Sequence, residues 1–575
     1  MALAIEVVAR TYILLPALLL LCILPLRNMT LPRPSVSLLA GAILGTLPLL
    51  SYWISGRSHP NALAGLVQWN DAAGYFSCAR QLVAGAAIDV SCQMRPFYTA
   101  LFGTFLAAAG GYIQAALFLQ ALVIGGMAAW FSHVLACRHG LPAGLAAFAA
   151  LIMFAAQFTL PVLTENAGLL LALSAFLVLF RDGEGISIGA FFAVLLALTT
   201  ALIARAGALF VIPALLLWSV VYSGGILSCR LRRTAAGICG VVLAIAANFG
   251  LIHAFGGTSA NAQSNFSYTL YAMTVGSGTY LQVLWDHPEI GQLPGDQLAG
   301  AIYDLAKANL LNSPHLFVFG YLRGMAAWIY GWFSFVPVFH LRAMFAALWF
   351  LGIWSCLLNR RGEWERLLLL MIAAIAVSSP FLYPFGGSRI LAATFPVDAL
   401  LVGLGCARLF GGRQAVRPDW GVRLATGGAL AFVILPLIAA IILLRFPVLS
   451  PVSADVSCPA GQKPFVADLA RETVAISLVT GGQRVINPLA VSRDGFVKRV
   501  DKDVAYYDDL VALPAGTTIV DAMQRRPGAT DGFGYGKPLQ FLWDGAMPGR
   551  QLVQGCLESS GNTRFLRATV LEPAQ

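Results

Sequence analysis

The residues best suited to chemistry lie in one polar stretch, WNDAAGYFSCARQLVAGAAIDVSCQMRPFY, which runs from Trp69 to Tyr98 in an otherwise apolar part of the chain. Ionisable side chains beside a membrane are costly to keep, so a segment that concentrates them is a candidate functional site. Its first carboxylate, Asp71, can act as a general base that takes a proton from a hydroxyl group. Asp71 can also cap the helix predicted for AAGYFSCAR by accepting hydrogen bonds from its first N–H groups. The two roles are compatible with each other.

The composition is that of an integral membrane protein. Of the 575 residues, 58% are hydrophobic and 11% are charged, whereas soluble globular chains carry about 25% charged residues. Apolar runs of about 20 residues, the length of a bilayer-spanning helix, recur many times. The chain has a net charge of +10, and its arginines cluster between the apolar runs. This placement indicates membrane topology rather than binding to nucleic acid.

The predicted fold is an all-α polytopic membrane module over residues 1–448, followed by a small soluble α/β or β domain over residues 449–575. Turns that carry arginines are assigned to the cytoplasm, which puts the loops 55–111 and 255–340, both termini and the C-terminal domain outside. About twelve spans are predicted, at 11–26, 35–54, 112–136, 142–160, 166–180, 187–204, 206–222, 234–254, 341–358, 366–383, 390–409 and 424–445.

Two further segments, 72–85 and 96–109, are predicted to be juxtamembrane helices. The first has apolar residues at helical spacing and polar residues elsewhere on the wheel, and the second is apolar but short for a span. Residues 1–26 have the alternative of a cleaved signal peptide. Glu6 ahead of the apolar run, and the lack of a small-residue cleavage site after it, favour a span instead.

The ten cysteines form no CxxC motif and the seven histidines no ligand-like pair, which argues against a zinc or iron–sulfur site. No cofactor or metal ligand is therefore predicted, and a divalent ion is left open. Cys78 with Cys92, and Cys458 with Cys556, fall in regions assigned to the outside. Each pair is there either a disulfide or two free thiols.

The order of elements resembles the GT-C superfamily of glycosyltransferases, whose donors are polyprenyl-phosphate sugars. An outside first loop carries Asp71 and, four residues on, Tyr75; a surface helix and the Met-Arg-Pro-Phe-Tyr motif around Arg95 follow. The resemblance covers about residues 50–410. The most similar branches are the protein O-mannosyltransferases, the lipid A aminoarabinose transferase and the rhizobial galacturonosyltransferase-like enzymes. It implies an enzyme of the bacterial inner membrane that transfers a sugar, with inversion, to a hydroxyl group of a glycan, lipid or protein on the periplasmic face.

The resemblance also implies roles for five charged residues. Asp71 matches the first-loop acid and is expected to be the catalytic base. Glu165, in Leu-Thr-Glu-Asn, matches an acid of the second outside loop that orients the acceptor or assists Asp71; the alternative is a first-turn acid favoured by the helix dipole. Arg95, Arg205 and Arg389 are expected to bind the donor phosphate. Arg95 has the alternative of a snorkelling interfacial residue, and Arg205 that of a structural pair with an acid.

Aromatic and polar residues in the two outside loops are expected to bind the sugar or the acceptor. For His287 the favoured alternative is a turn cap before Pro288. The predicted substrate-binding residues are Tyr75, Tyr98, Tyr268, Tyr271, His287 and Glu289.

Two other functional classes share parts of this pattern. A transporter or flippase of lipid-linked substrates predicts charged or broken helices at mid-membrane in matched halves, and Arg205 is the chief residue of that kind. A polymerase or ligase of surface polysaccharide also uses lipid-linked sugars, but its arginines and histidines usually lie in a large late loop. Here the acids and Arg95 come early, which favours glycosyl transfer.

Overall fold

The structure is a computed structural model and consists mostly of α-helices. It describes residues 11–23, 31, 33–55, 59–63, 65, 67–85, 88, 90–181, 186–257, 264–293, 295–411, 422–448, 457–468, 474–479, 484–486, 497–499, 518–524, 538–543, 552–559 and 566–573.

In the first half of the chain, short strands and helices alternate with long apolar helices. These elements are α1 (Thr11–Leu21), α2 (Pro34–Ser55), β1 (Ala62–Leu63), β2 (Val67–Gln68), α3 (Asp71–Val83), α4 (Pro96–Ala108), α5 (Ile113–His139), α6 (Leu141–Ala155), α7 (Thr164–Arg181), α8 (Ile188–Ala204), α9 (Val211–Val221) and α10 (Leu227–Ala254).

The helical part continues through a second set of helices. These are α11 (Ser264–Thr274), α12 (Gln282–Asp286), α13 (Gly295–Asn312), α14 (Pro314–Gly331), α15 (Phe339–Leu358), α16 (Glu363–Gly386), α17 (Phe395–Phe410) and α18 (Val422–Arg445). Short 3₁₀ turns lie at Val90–Met94, Pro288–Gln292 and Gly387–Leu391.

Six helices of the described residues are long and apolar enough to cross a membrane, so the chain has the character of a multi-pass membrane protein. They cover Pro34–Ile54, Ile113–His139, Leu227–Ala254, Phe339–Leu358, Glu363–Leu391 and Ala425–Arg445. Five apolar helices are shorter, at 10–17 residues: Pro96–Ala108, Leu141–Ala155, Thr164–Phe180, Ile188–Ala204 and Val211–Val221. Four of these shorter helices, all but Pro96–Ala108, correspond to spans in the predicted set of about twelve. That total stays a prediction.

The short helices α6 and α7 form the centre of the bundle. α6 is apolar around its whole circumference, and so is α7 beyond its first turn and before Arg181, as expected of helices that are surrounded by other helices. Phe154 of α6 stacks on Phe395 of α17 with ring centroids 4.1 Å apart, and Phe335 meets both rings edge-on. These contacts fix the position of α17 against α6 within the core.

The strands that the structure describes between residues 463 and 573 form an eight-stranded mixed sheet. The strands are β3 (Lys463–Asp468), β4 (Val474–Val479), β5 (Arg484–Ile486), β6 (Val497–Arg499), β7 (Thr518–Gln524), β8 (Pro538–Trp543), β9 (Leu552–Ser559) and β10 (Leu566–Pro573). Their order in the sheet is β3-β9-β10-β8-β7-β4-β5-β6, in which β10 and β8 are parallel and the other neighbours are antiparallel. A disulfide between Cys458 and Cys556 ties the entry to the sheet onto β9, one of the two outcomes left open for this pair.

The chain leaves the helical bundle beside α3. The N–H of Val448, just after α18, donates to the carbonyl of Val83 at 2.9 Å, and Pro447 lies against Gly85. The connection to the sheet therefore starts at the C-terminal end of the helix that begins with Asp71.

Candidate active site

Four of the predicted charged residues meet at one end of the bundle. Asp71 opens α3, Glu165 lies in the first turn of α7, Arg205 follows the last residue of α8, and Arg389 lies in the 3₁₀ turn after α16. Asp71 and Arg389, which hydrogen-bond to each other, are 318 positions apart in the chain. Long-range packing therefore assembles a cluster that no local segment contains.

Glu165 is the buried anchor of this cluster, with a side chain that is 0% exposed. Its Oε1 accepts from Nε of Arg389 and lies 3.4 Å from Nε of Arg205. Its Oε2 accepts from the hydroxyl of Thr164 at 3.3 Å. A buried carboxylate is tolerated when it is paired and hydrogen-bonded, and here two guanidinium groups supply that compensation.

Arg389 links the buried acid to the exposed one. Its Nε binds Glu165, while Nη1 and Nη2 lie 3.4 and 3.3 Å from Oδ2 of Asp71. The exposed fraction of the side chain rises from Glu165 at 0% through Arg389 at 31% to Asp71 at 49%. The outer edge of the guanidinium thus faces the accessible side of the cluster, next to the Asp71 carboxylate.

Asp71 does not occupy the N-cap position of α3. That position belongs to Asn70, which has a positive φ of 51° and makes no side-chain capping hydrogen bond. The backbone carbonyl of Asn70 instead accepts from the N–H groups of Ala73 and Gly74. The carboxylate of Asp71 is turned toward Arg389, which differs from the capping alternative.

The turn that carries Arg389 needs a glycine at its first position. Gly387 has a φ of +56°, in the left-handed region that side chains with a Cβ rarely adopt. The reversal there ends α16 and starts the 3₁₀ turn, which aims Arg389 back toward α7. The carbonyl of Arg389 also accepts from Nε of Arg205 at 3.4 Å. Arg205 therefore contacts both this turn and the carboxylate of Glu165.

Arg205 pairs with Glu165, which is the structural pair with an acid that was its alternative role. Arg95 instead binds backbone carbonyls. Arg95 precedes α4 and donates through Nη1 to the carbonyls of Ile203 at 3.5 Å and Met94 at 3.4 Å. Within the residues that the structure describes, its guanidinium has no carboxylate partner. Arg95 is therefore a cation held beside Arg205 by neutral groups.

The charge of the cluster favours an anionic ligand. Arg205 and Arg389 balance the charges of Glu165 and Asp71, and the neighbouring Arg95 adds a surplus of +1. A surplus positive charge in a partly buried recess attracts phosphate and similar groups. The described residues contain no group of three or more His, Cys, Asp or Glu side chains that could hold a metal ion.

Aromatic rings border the charged cluster. Tyr75 meets the fully buried ring of Tyr98 edge-on at 5.5 Å. Burial raises the pKa of the Tyr75 hydroxyl, against the opposing effect of Arg95 and Arg205. The hydroxyl of Tyr75 is therefore neutral, and the buried ring of Tyr98 packs against the ring of Tyr75.

Tyr280 was not among the predicted residues, but it belongs to the same border. It stacks on Tyr268 with ring centroids 5.0 Å apart. Its pKa is raised to about 12, first by burial and then by Tyr268, while the charge of Arg95 opposes the rise. Tyr280 lies in the segment already singled out for its aromatic residues, and it ends the sequence NFSYTLYAMTVGSGTY.

Tyr271, His287 and Glu289 do not join the cluster. The ring of Tyr271 is buried in a small separate core with Val283, and its hydroxyl donates to Asp286 at 2.9 Å. Nδ1 of His287 lies 3.3 Å from Oε1 of Glu289. The ring of Tyr271 packs between α11 and α13, and its contact with a sugar stays a prediction.

The side-chain amide of Gln68 fixes the distance between the two acidic residues of the cluster. Its Nε2 donates to the carbonyl of Leu160 at 3.3 Å, and its Oε1 accepts from the N–H of Val162 at 2.7 Å. Gln68 lies just before Asp71, and the segment it binds leads into α7 and Glu165. A single glutamine gives no sequence signal for such a contact, and its role appears only in the structure.

A disulfide between Cys78 and Cys92 joins α3 to the turn before Arg95. It closes a separation of 14 residues, for which the loss of chain entropy in the unfolded state corresponds to about 3 kcal/mol. The disulfide, which was one of two alternatives for this pair, holds Asp71 and Arg95 on connected elements. Disulfides persist in oxidising compartments, which agrees with the predicted outside location of this loop.

We expect a membrane-impermeant maleimide to distinguish the two ends of the bundle in intact cells. Cys78 and Cys92 should react only after reduction, and then from outside. Cys229, an exposed free thiol at the start of α10, should react only after the membrane is permeabilised. Labelling is read by mass spectrometry of the peptides. Labelling of Cys229 in intact cells would contradict the predicted topology.

Replacing both Cys78 and Cys92 with serine is the matched control, because it removes the reduction-dependent label from their two peptides and leaves the labels of Cys229 and of the Cys458–Cys556 disulfide unchanged.

The comparisons with known proteins add no name to this site. Neither the protein-family models, nor the curated proteins, nor the solved structures contain a match to the chain. The residues of the cluster and the order of the elements that carry them are therefore the basis for a functional assignment.

Proposed function

We propose that the protein is an inverting glycosyltransferase of the GT-C type, which moves a sugar from a polyprenyl-phosphate donor to a hydroxyl acceptor. The observation that carries this proposal is the half-exposed carboxylate of Asp71 beside the guanidinium of Arg389, in a partly buried cluster to which Arg95 adds a surplus positive charge. A base next to a phosphate-binding cation is what such a transfer requires. The acceptor is a glycan, a lipid or a protein of the cell envelope.

In the proposed reaction the acceptor oxygen attacks the anomeric carbon of the donor. The bond between that carbon and the phosphate oxygen breaks, and the polyprenyl phosphate leaves with its electron pair. Asp71 takes the acceptor proton, while Arg389 and Arg95 stabilise the charge that develops on the leaving phosphate. Displacement in one step inverts the anomeric centre.

The contacts of Asp71 support its role as the base. Charge-assisted hydrogen bonds between guanidinium and carboxylate are usually about 2.7–2.9 Å long, whereas Asp71 lies 3.3–3.4 Å from the two Nη atoms of Arg389. Asp71 is also half exposed, so its pairing is weakened by solvent. The carboxylate is therefore free to turn to an acceptor hydroxyl when a phosphate occupies Arg389.

Glu165 is assigned a positioning role in this mechanism. Both of its oxygens are bound to protein groups and it is fully buried, so it acts through Arg389 rather than on the acceptor. It holds Nε of Arg389 and thereby directs the two Nη atoms toward the accessible side. Of the two expected roles of Glu165, orienting the acceptor or assisting Asp71, this proposal takes the second.

The position of the charged residues favours transfer over transport. Asp71, Glu165, Arg205 and Arg389 all lie at element ends, whereas a flippase is expected to carry charge within broken helices at mid-membrane. The proposed location is the inner membrane of a bacterium, with the site facing the periplasm and the apolar helices in contact with the polyprenyl chain.

The test uses membranes that contain the protein and a panel of radiolabelled polyprenyl-phosphate sugars. Consumption of one donor with release of polyprenyl phosphate, and an acceptor product of inverted anomeric configuration, is the expected result. Movement of an intact donor across the membrane without cleavage would overturn the proposal in favour of a flippase. Growth of a lipid-linked glycan chain would favour a polymerase or ligase.

A further inference from the structure

We propose that a second site, at the opposite end of the bundle from Asp71, binds an anionic phospholipid. A cavity of about 1240 Å³ opens there between α5, α7, α15, α16 and α17. It is lined by both arginine and apolar side chains. This site is independent of the proposed glycosyl transfer.

Two helices connect the cavity to the candidate active site. α7 has Glu165 in its first turn, and Leu177 and Phe180 near its C-terminal end line the cavity. α16 starts next to the cavity, where it contributes Trp364, and ends just before Arg389. Its 24 residues correspond to about 36 Å at a rise of about 1.5 Å per residue. The two sites are thus separated by most of the length of the bundle.

The rim of the cavity has a strong surplus of positive charge. Arg138, Arg360, Arg361 and Arg408 give +4 and Glu365 gives −1, which leaves +3. Arg138 lies over the ring of Trp364, with its guanidinium carbon 5.6 Å from the ring centroid.

Three of these arginines, Arg360, Arg361 and Arg408, are exposed. None of the three pairs with a carboxylate in the part of the chain that the structure describes. Their guanidinium groups are therefore available to an anion.

The walls indicate an amphiphile rather than a free anion. Apolar side chains from four helices line the interior: Leu135, Leu177, Phe180, Leu368, Leu400 and Leu404. Water in contact with such walls is unfavourable, by about 25 cal/mol for each Å² of apolar surface. The volume also exceeds what a phosphate group needs, since pockets for drug-sized molecules measure about 300–1,000 Å³. An acyl chain fits the walls and a phosphate fits the rim.

The chemistry of the rim selects among membrane lipids. Basic pockets between spanning helices on the cytoplasmic side bind anionic head groups, and the arginine-bearing turns here are the ones assigned to the cytoplasm. A zwitterionic lipid carries its own cation and neutralises the rim less well. The expected ligand is therefore a phospholipid with net negative charge.

The test measures lipid retention by the purified full-length protein with native mass spectrometry and phosphatidylglycerol titration. The variant is Arg360→Gln with Arg361→Gln, and both residues are exposed, so folding should be preserved. Each arginine near an anionic head group contributes about fivefold to binding, so the double variant should bind about 30-fold more weakly. Arg232→Gln is the matched control, since Arg232 is exposed on α10 and does not line the cavity.

A second variant tests the apolar walls. Leu404→Trp fills part of the cavity and should weaken phosphatidylglycerol retention with the arginines intact. Equal retention by the parent, the double arginine variant and Arg232→Gln would overturn the proposal. Equal retention of phosphatidylcholine and phosphatidylglycerol by the parent would overturn it as well. Displacement of the lipid by an equal concentration of soluble glycerol phosphate would reduce the site to an anion site and would also contradict it.

Discussion

Asp71→Asn is expected to abolish measurable sugar transfer while the protein still folds and binds its donor. Loss of a positioned general base lowers rates by about 100- to 10,000-fold. Folding should be preserved because Asp71 is half exposed and exposed ion pairs contribute about 0–1 kcal/mol. The measurement is the rate of donor consumption at saturating donor, together with the elution profile of the purified protein.

Donor affinity separates the role of the base from that of the cation. Asparagine removes the negative charge that competes with a phosphate for Arg389, so the donor KM of Asp71→Asn should stay the same or fall. Arg389→Gln should instead raise the donor KM, since it removes the guanidinium that faces the open side. A large rise in KM with unchanged kcat for Asp71→Asn would show that Asp71 binds substrate and is not the base.

The control for Asp71→Asn is Asp304→Asn. Asp304 is exposed on α13 and has no contact with the charged cluster, so this variant should keep the parent's rate. A similar loss of rate in both variants would point to a general effect of removing a negative charge.

The membrane character and the existence of separate helices for residues 72–85 and 96–109 follow from composition and periodicity alone. The predicted helices correspond to Asp71–Val83 and Pro96–Ala108. Sequence cannot tell a lipid-facing apolar helix from a buried one, because lipid and a protein core are equally apolar. α6, for example, has the composition of a span, but its side chains are almost all buried among other helices.

The charged residues of the site could be picked from the sequence, but their pairing could not. Glu165 contacts two arginines, 40 and 224 positions further along the chain, and nothing in the sequence pairs it with either. Which acid is buried and which is exposed depends on how α3 and α7 are placed, and two hydrogen bonds of Gln68 join the segments that lead into these helices. The division of roles between Asp71 and Glu165 is therefore a property of tertiary structure.

Glu165→Gln is expected to cause the largest loss of stability among substitutions in the site. Removing one partner of a buried ion pair costs about 3–5 kcal/mol, because the charge that remains is left uncompensated. Here two guanidinium groups, of Arg205 and Arg389, would face each other without the carboxylate between them. The temperature at which half of the protein is lost from the folded gel-filtration peak should fall by several degrees.

A second substitution tests that this loss comes from uncompensated positive charge. In Glu165→Gln with Arg205→Gln, one of the two cations is gone and the remaining Arg389 still has Asp71. The double variant should therefore be more heat-stable than Glu165→Gln alone, although each single change is destabilising. Additive losses in the double variant would mean that packing, and not charge, explains the effect.

Glu289→Gln is the control for the change from acid to amide, since Glu289 is 71% exposed and lies outside the charged cluster. The free energy of unfolding of Glu289→Gln should stay within about 0.5 kcal/mol of the parent's.

The donor KM of Glu165→Gln should rise, measured at a temperature where this variant is still folded. The reason is that Arg389 loses the contact that orients it toward the accessible side. An unchanged donor KM would mean that Glu165 has a purely structural role. Arg389 would then be oriented by Arg205 and by the turn at Gly387.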